Sequence, residues 1–232
     1  MKWLERYFEE NLPRRSEQLD SGRAPFFRLL ADQWFLRAAL DHAAAAPALR
    51  VAGHLRQGLQ EMRVAFELGH VANVWELWDF FFYALAASDR NCAYFVATLP
   101  ERCWEPPGES LQWLLAQLKT AFSLFQHDDL EAAVRLSEAR TLVFEDPLPT
   151  GVAKDAPEIR NLARILETLL QKDAAGLNRA LTERLEIRNK AKGNVLMSAL
   201  DLHALGLAWM ARDRGIEVTV RHALLPLALL ER

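Results

Sequence analysis

The residues best suited to chemistry in this 232-residue chain are its six histidines and two cysteines. Their neighbours decide what each can do. His127-Asp128-Asp129 sets an imidazole beside two carboxylates, a donor set that suits a divalent cation. No second cluster at ligand spacing accompanies it, and the run falls at a helix–helix junction, where a solvated cap is the expected role. His203 lies on an apolar helix with Asp201 nearby, the pattern of a hydrogen-bonded core histidine. Arg37 with His42, and Arg63 with His70, have the separations that all-helical ribonucleases use for catalysis. Twenty-two arginines and six histidines place about as many such pairs by chance, so the two pairs carry no information. Neither Cys92 nor Cys103 has a nearby histidine, and the two together cannot build a disulfide framework; they read as thiols of a reducing compartment. There is no serine in a G-x-S-x-G elbow and no glycine-rich phosphate loop. The sequence supports no enzyme and calls for no metal or cofactor.

Nearly every stretch carries apolar residues at three- and four-residue spacing, and period-two alternation is almost absent. Helices are expected from Pro25 to about Ala46, with Phe26, Leu29, Leu30, Trp34 and Ala38 on one side, and from Pro47 to near Gly69. A third, about Val71–Ser88, is apolar around most of its circumference, and its Trp75 and Trp78 read as packing residues; such a helix serves a core or a dimer. Others follow at about Asn91–Leu99, Ser110–His127, Leu130–Phe144, Pro157–Lys172, Ala174–Lys190 and Val195–Asp213. Asp155-Ala156-Pro157-Glu158 has the form of an N-terminal cap, and Asp128 with Glu131 the form of a capping box. Ile216–Val220 alternates but is too short to imply a sheet. Asp89, Asp129, Asp173 and Asp213 sit at helix junctions 40, 44 and 40 residues apart, a period that suits stacked αα-hairpins, with the aspartates as caps. The expected fold is all-α: stacked antiparallel αα-hairpins in a single compact, solenoid-like domain over residues 1–232. Residues 1–70 form its N-terminal helices, 71–150 its middle hairpins and 151–232 its C-terminal hairpins.

Composition narrows the function. Hydrophobic residues make up 51% and charged residues 25%, a globular balance. A net charge of −3 and a pI near 6.1 argue against a nucleic-acid binder. The longest apolar stretch, Val195–Ala211, contains Asp201 and His203 and reads as a buried helix rather than a membrane span. With a charged N-terminus and no signal-peptide pattern, a cytoplasmic location is expected. Charge is uneven along the chain: +1 over residues 1–70, −7 over 71–150 and +3 over 151–232. The acidic middle is either a solvated face or a docking surface for a basic partner. As a docking surface, its contact residues are Asp128, Asp129, Glu131, Glu145, Asp146 and Asp155.

Several segments resemble the immunity protein 49 family of bacterial polymorphic toxin systems. They are Trp78–Arg90 followed by Phe95–Pro100, then Leu111–Phe125 with Asp128-Asp129 and Ala132-Ala133 behind it, and Leu202–Val218 ending in Leu225-Pro226 and Leu229-Leu230. The resemblance covers roughly residues 70–232 and brings no catalytic signature. It implies an all-helical antidote that binds and blocks a cognate toxin delivered by a neighbouring cell. Within its C-terminal pattern, Gly215 reads as a left-handed helix stop and Asp213 as a local cap. The rival reading is a helical-repeat scaffold that recruits proteins and has no toxin partner.

Overall fold

The computed structural model describes residues 24–100, 104, 108, 111–145, 148–149, 151–190 and 199–230. Nine α-helices are found among them, and no strand. α1 (Ala24–Ala43) and α2 (Ala48–Glu67) form the first hairpin, turned by Ala45 in left-handed conformation and restarted at Pro47. α2 buries Val51, Leu55, Leu59, Met62 and Phe66, a stripe at helical spacing. On α1 Leu30 and Ala38 are buried as expected, together with Phe27, Ala31 and Phe35. Leu29 is exposed and Trp34 only half-buried, because the stripe that meets α2 repeats from Phe27 and not from Phe26.

α3 (Val74–Ala86) begins three residues later than expected, since Asn73 and Glu76 make a reciprocal capping box there. Trp78, Phe80, Phe81, Phe82 and Leu85 are all buried, so this helix is the hub of the core. α4 (Arg90–Ala97) is capped by Asp89, whose side chain accepts from Cys92 N at 3.0 Å. α5 (Gln112–Phe125) and α6 (Asp129–Arg140) pair as a hairpin, and α6 runs on into a π-helical turn at Thr141–Glu145. A 3₁₀ turn at Ala153–Asp155 leads into α7 (Ala156–Gln171), which pairs with α8 (Ala174–Lys190). α9 (Leu202–Asp213) follows, then an extended segment and a 3₁₀ turn at Leu227–Leu230.

Helices pair as α1 with α2, α3 with α4, α5 with α6 and α7 with α8, as hairpin stacking requires. The last helix departs from a simple row: α9 packs back on α3, more than a hundred residues earlier. Gly206 permits this approach, because a Cβ there would lie 2.6 Å from the backbone oxygen of Phe82. Beyond α9, Ile216, Val218 and Val220 point inward and Glu217 and Thr219 outward, without pairing into a strand. Asn178 of α8 stands in for a neighbouring strand, donating to Glu217 O at 2.9 Å and accepting from Thr219 N at 2.7 Å. A contiguous apolar core joins residues from Ala31 to Leu230.

The junction aspartates divide into two kinds. Asp89 and Asp173 cap helices, the latter accepting from Gly176 N at 2.9 Å. Asp129 instead takes Arg214 Nη2 at 2.6 Å, and Asp213 takes Arg90 Nη1 at 2.7 Å and His127 Nε2 at 3.0 Å. These two are cross-braces between helix ends: Asp128 already holds the N-cap beside Asp129, and Asp213 closes the C-terminal end of α9, where a carboxylate finds no free helix N–H groups. Gly215 is left-handed, with φ of +75°, as expected. Asp155 occupies its cap position without a side-chain cap bond, since its expected partner Glu158 turns to the arginines of α8.

Candidate functional site

Two arginines on the buried stripe of α8 create the site. Leu177, Leu181 and Leu185 face the core, and Arg184 and Arg188 continue the same side. A guanidinium withdrawn from water is tolerable only among carboxylates. Asp201 meets Arg184 with two hydrogen bonds, from Nε at 2.9 Å and Nη2 at 3.1 Å. The same carboxylate accepts from Ala204 N at 2.9 Å and so caps α9. Glu158, in the first turn of α7, is bridged by Arg188 and lies 3.6 Å from Arg184 Nη1. Burial pushes the Asp201 carboxyl upward, but Arg184 and Arg188 outweigh it and hold the group at about 2. Burial likewise opposes the charge of Arg184, and Asp201 and Glu158 more than offset it.

His203 carries the cluster across to α3. Arg184 Nη2 approaches its Nδ1 at 3.4 Å, and arginine offers only donors, so Nδ1 accepts. The ring proton therefore sits on Nε2, which donates to Asp79 Oδ1 at 2.8 Å. This is the bonded core histidine anticipated from its position, though its carboxylate partner is Asp79 and not Asp201.

Over this cluster opens a cleft of about 380 Å³. Trp75, Trp78 and Trp113 form its walls, Arg184, Arg188 and His203 its floor, and Asp79, Asp155 and Glu158 stand around it. The rings of Trp75 and Trp113 meet edge to face, 5.7 Å apart at 72°. Trp78 is buried as expected of a packing residue, but Trp75 is 44% exposed, which corrects its assignment to the core. Its ring lies at the cleft because the buried arc of α3 runs through Leu77, Trp78 and Phe81.

The six acidic residues singled out in the sequence fall in separate places. Asp128 caps α6, accepting from Glu131 N at 3.0 Å, while the Glu131 carboxylate pairs with Arg135 at 2.7 Å instead of closing a capping box. Asp129 is tied to Arg214. Glu145 is exposed at the far end of the π-helical turn, about 25 Å along the helix from Asp128 at 1.5 Å per residue. Asp155 is exposed at the cleft, and Asp146 lies outside the described residues. His127, Asp128 and Asp129 each turn to a different partner, so they do not converge as metal ligands. Arg184, Arg188 and Asp79 carry no expectation of their own in the sequence, and Glu158 is expected there only as a cap partner of Asp155. The available signal was a pair of arginines four apart on an apolar helical stripe.

These features define an all-helical protein with a closed internal charge cluster beneath an aromatic, carboxylate-lined cleft. The family model described as Immunity protein 49 matches residues 30–229, and the chain belongs to that family. The match starts well ahead of residue 70, so the first hairpin is part of the family fold. No curated protein and no solved structure matches the chain.

Proposed function

We propose that this family member neutralises a cognate bacterial toxin by binding it one-to-one, without catalysis, in the cytoplasm of the cell that makes it. The family match over residues 30–229 carries the reading. The interior chemistry supports it. Arg184, Asp201, His203 and Asp79 are bonded to one another, which leaves no unengaged base within the cluster. The Cys92 thiol is pushed up to about 12, by burial first and by Asp89 second, far from the range of a thiolate nucleophile.

One domain supplies the binding surface, a reading supported by the contiguous core from Ala31 to Leu230. The toxin is a basic protein, and its footprint draws on Asp128, Asp129 and Glu131 at one end of α6, on Glu145 beyond the other and on Asp155 at the cleft, with Asp146 counted among them from the sequence alone. A standard interface covers about 800 Å² on each partner, a patch roughly 30 Å across, which is wide enough to reach both ends. Co-purification with the product of the adjacent gene, followed by size exclusion at low and high salt, tests the proposal. A one-to-one complex weakened by salt supports it. A folded protein with no complex shifts the function to a scaffold without a toxin partner.

A further inference from the structure

Building on the immunity reading, we infer that the cleft between Trp75, Trp78 and Trp113 receives an arginine side chain of the toxin. The charge inside the cleft selects the sign of its occupant. Three carboxylates (Asp79, Asp155 and Glu158) line the cleft with two guanidiniums, and Asp201 beneath pairs with Arg184, so lining and floor together carry a formal charge of −2 with histidine counted neutral. All three nitrogens of Arg184 lie within 4 Å of a carboxylate, and Arg188 is bridged to Glu158, so the floor arginines are occupied internally. Among the described residues Asp155 has no side-chain partner, and His203 is the partner of Asp79, whose side chain is 38% exposed. The surplus negative charge thus stands at the mouth of the cleft.

The walls select the shape. Trp75, 44% exposed, offers an indole surface over which a cation is favoured, and the buried Trp113 braces it edge to face at 72°. A guanidinium is planar, stacks on indole and forks onto a carboxylate, a combination an ammonium lacks. The cleft volume of about 380 Å³ is large enough to admit an arginine side chain.

The probe is N-acetyl-arginine amide, titrated into the full chain by calorimetry beside its uncharged isostere N-acetyl-citrulline amide and the anionic N-acetyl-glutamate amide. Saturable binding of the arginine probe alone is expected. Trp75→Ala should weaken it by roughly three- to thirtyfold, the range that loss of a cation–aromatic contact gives. Asp155→Asn should weaken it as well, and this exposed, unpaired side chain is replaceable without disturbing the fold. Equal binding of the citrulline probe, or preference for the glutamate probe, overturns the inference. The same variants are then measured against the toxin. Wild-type affinity in both overturns the inference and leaves immunity standing. A wild-type protein that forms no toxin complex overturns the immunity reading, and the probe titration still decides whether the cleft takes a guanidinium.

Discussion

Arg184 and Asp201, seventeen residues apart, are joined by two hydrogen bonds of 2.9 and 3.1 Å while their side chains are only 2% and 3% exposed. This pair fixes the end of α8 against the start of α9, and α9 in turn packs on α3. The cleft floor and the cap of the last helix therefore depend on one carboxylate.

Breaking that pair from either side leaves a buried charge without its partner. Arg184→Ala is expected to cost about 3–5 kcal/mol of stability, measured by urea unfolding at neutral pH. Arg184→Met combined with Asp201→Asn should cost less than the sum of the two single changes, because neither charge is then stranded. Strict additivity would mean that the pair is not coupled.

Acid should dissolve the same interaction. Asp201 is held at about 2 when folded against an ordinary value of 3.8. Its folded value lies below its unfolded one, so its contribution is full above about pH 4 and is lost as pH falls toward 2. The contribution is on the order of 2 kcal/mol. Wild type and Asp201→Asn, which keeps a cap acceptor, should differ in unfolding free energy at pH 6, and most of that gap should close as pH falls through 2. A gap unchanged across that range contradicts the assignment.

The approach of α9 to α3 predicts unequal glycine substitutions. Gly206→Ala drives a Cβ against the backbone of Phe82 at 2.6 Å, a contact no rotamer relieves, and should cost about 1–3 kcal/mol. Gly215→Ala meets no atom within 4 Å and incurs only its φ of +75°, about 1 kcal/mol. Thermal unfolding of both variants checks the order, and a milder effect at Gly206 would argue against this packing.

Much of this fold is legible in the sequence because its signals are local. Asp89, Asp128 and Asp173 cap where a carboxylate precedes an apolar periodic run, and Gly215 stops a helix as glycine after a last turn does. The cleft is another matter. Asp79 and His203 are 124 residues apart, and only the return of α9 to α3 brings them to 2.8 Å. Asp213 and Asp129 look like caps from spacing alone, yet Arg90, His127 and Arg214 reach them across helix ends that only the tertiary packing brings together. Trp75 and Trp78 share a residue type, a helix and the cleft, yet three residues of rotation leave Trp75 open to solvent and Trp78 buried.

The acidic residues separate into those with structural duties and those without. Glu145→Lys and Asp155→Lys change exposed side chains and should leave stability within about 0.5 kcal/mol. Each should weaken the toxin complex severalfold at low salt and less at high salt. Asp129→Lys sets a cation beside Arg214, whose side chain is 2% exposed, and should lower stability as well as binding. Calorimetry against the toxin, with unfolding curves for each variant, separates the two effects. Unchanged affinity in both exposed variants would remove the Glu145 end of α6 and the cleft from the interface.

Stoichiometric neutralisation is read out by titrating the toxin's own activity with this protein. Activity should fall linearly and vanish at one equivalent. Complete inhibition far below one equivalent would indicate catalytic turnover, and undiminished activity with excess protein would contradict immunity by binding.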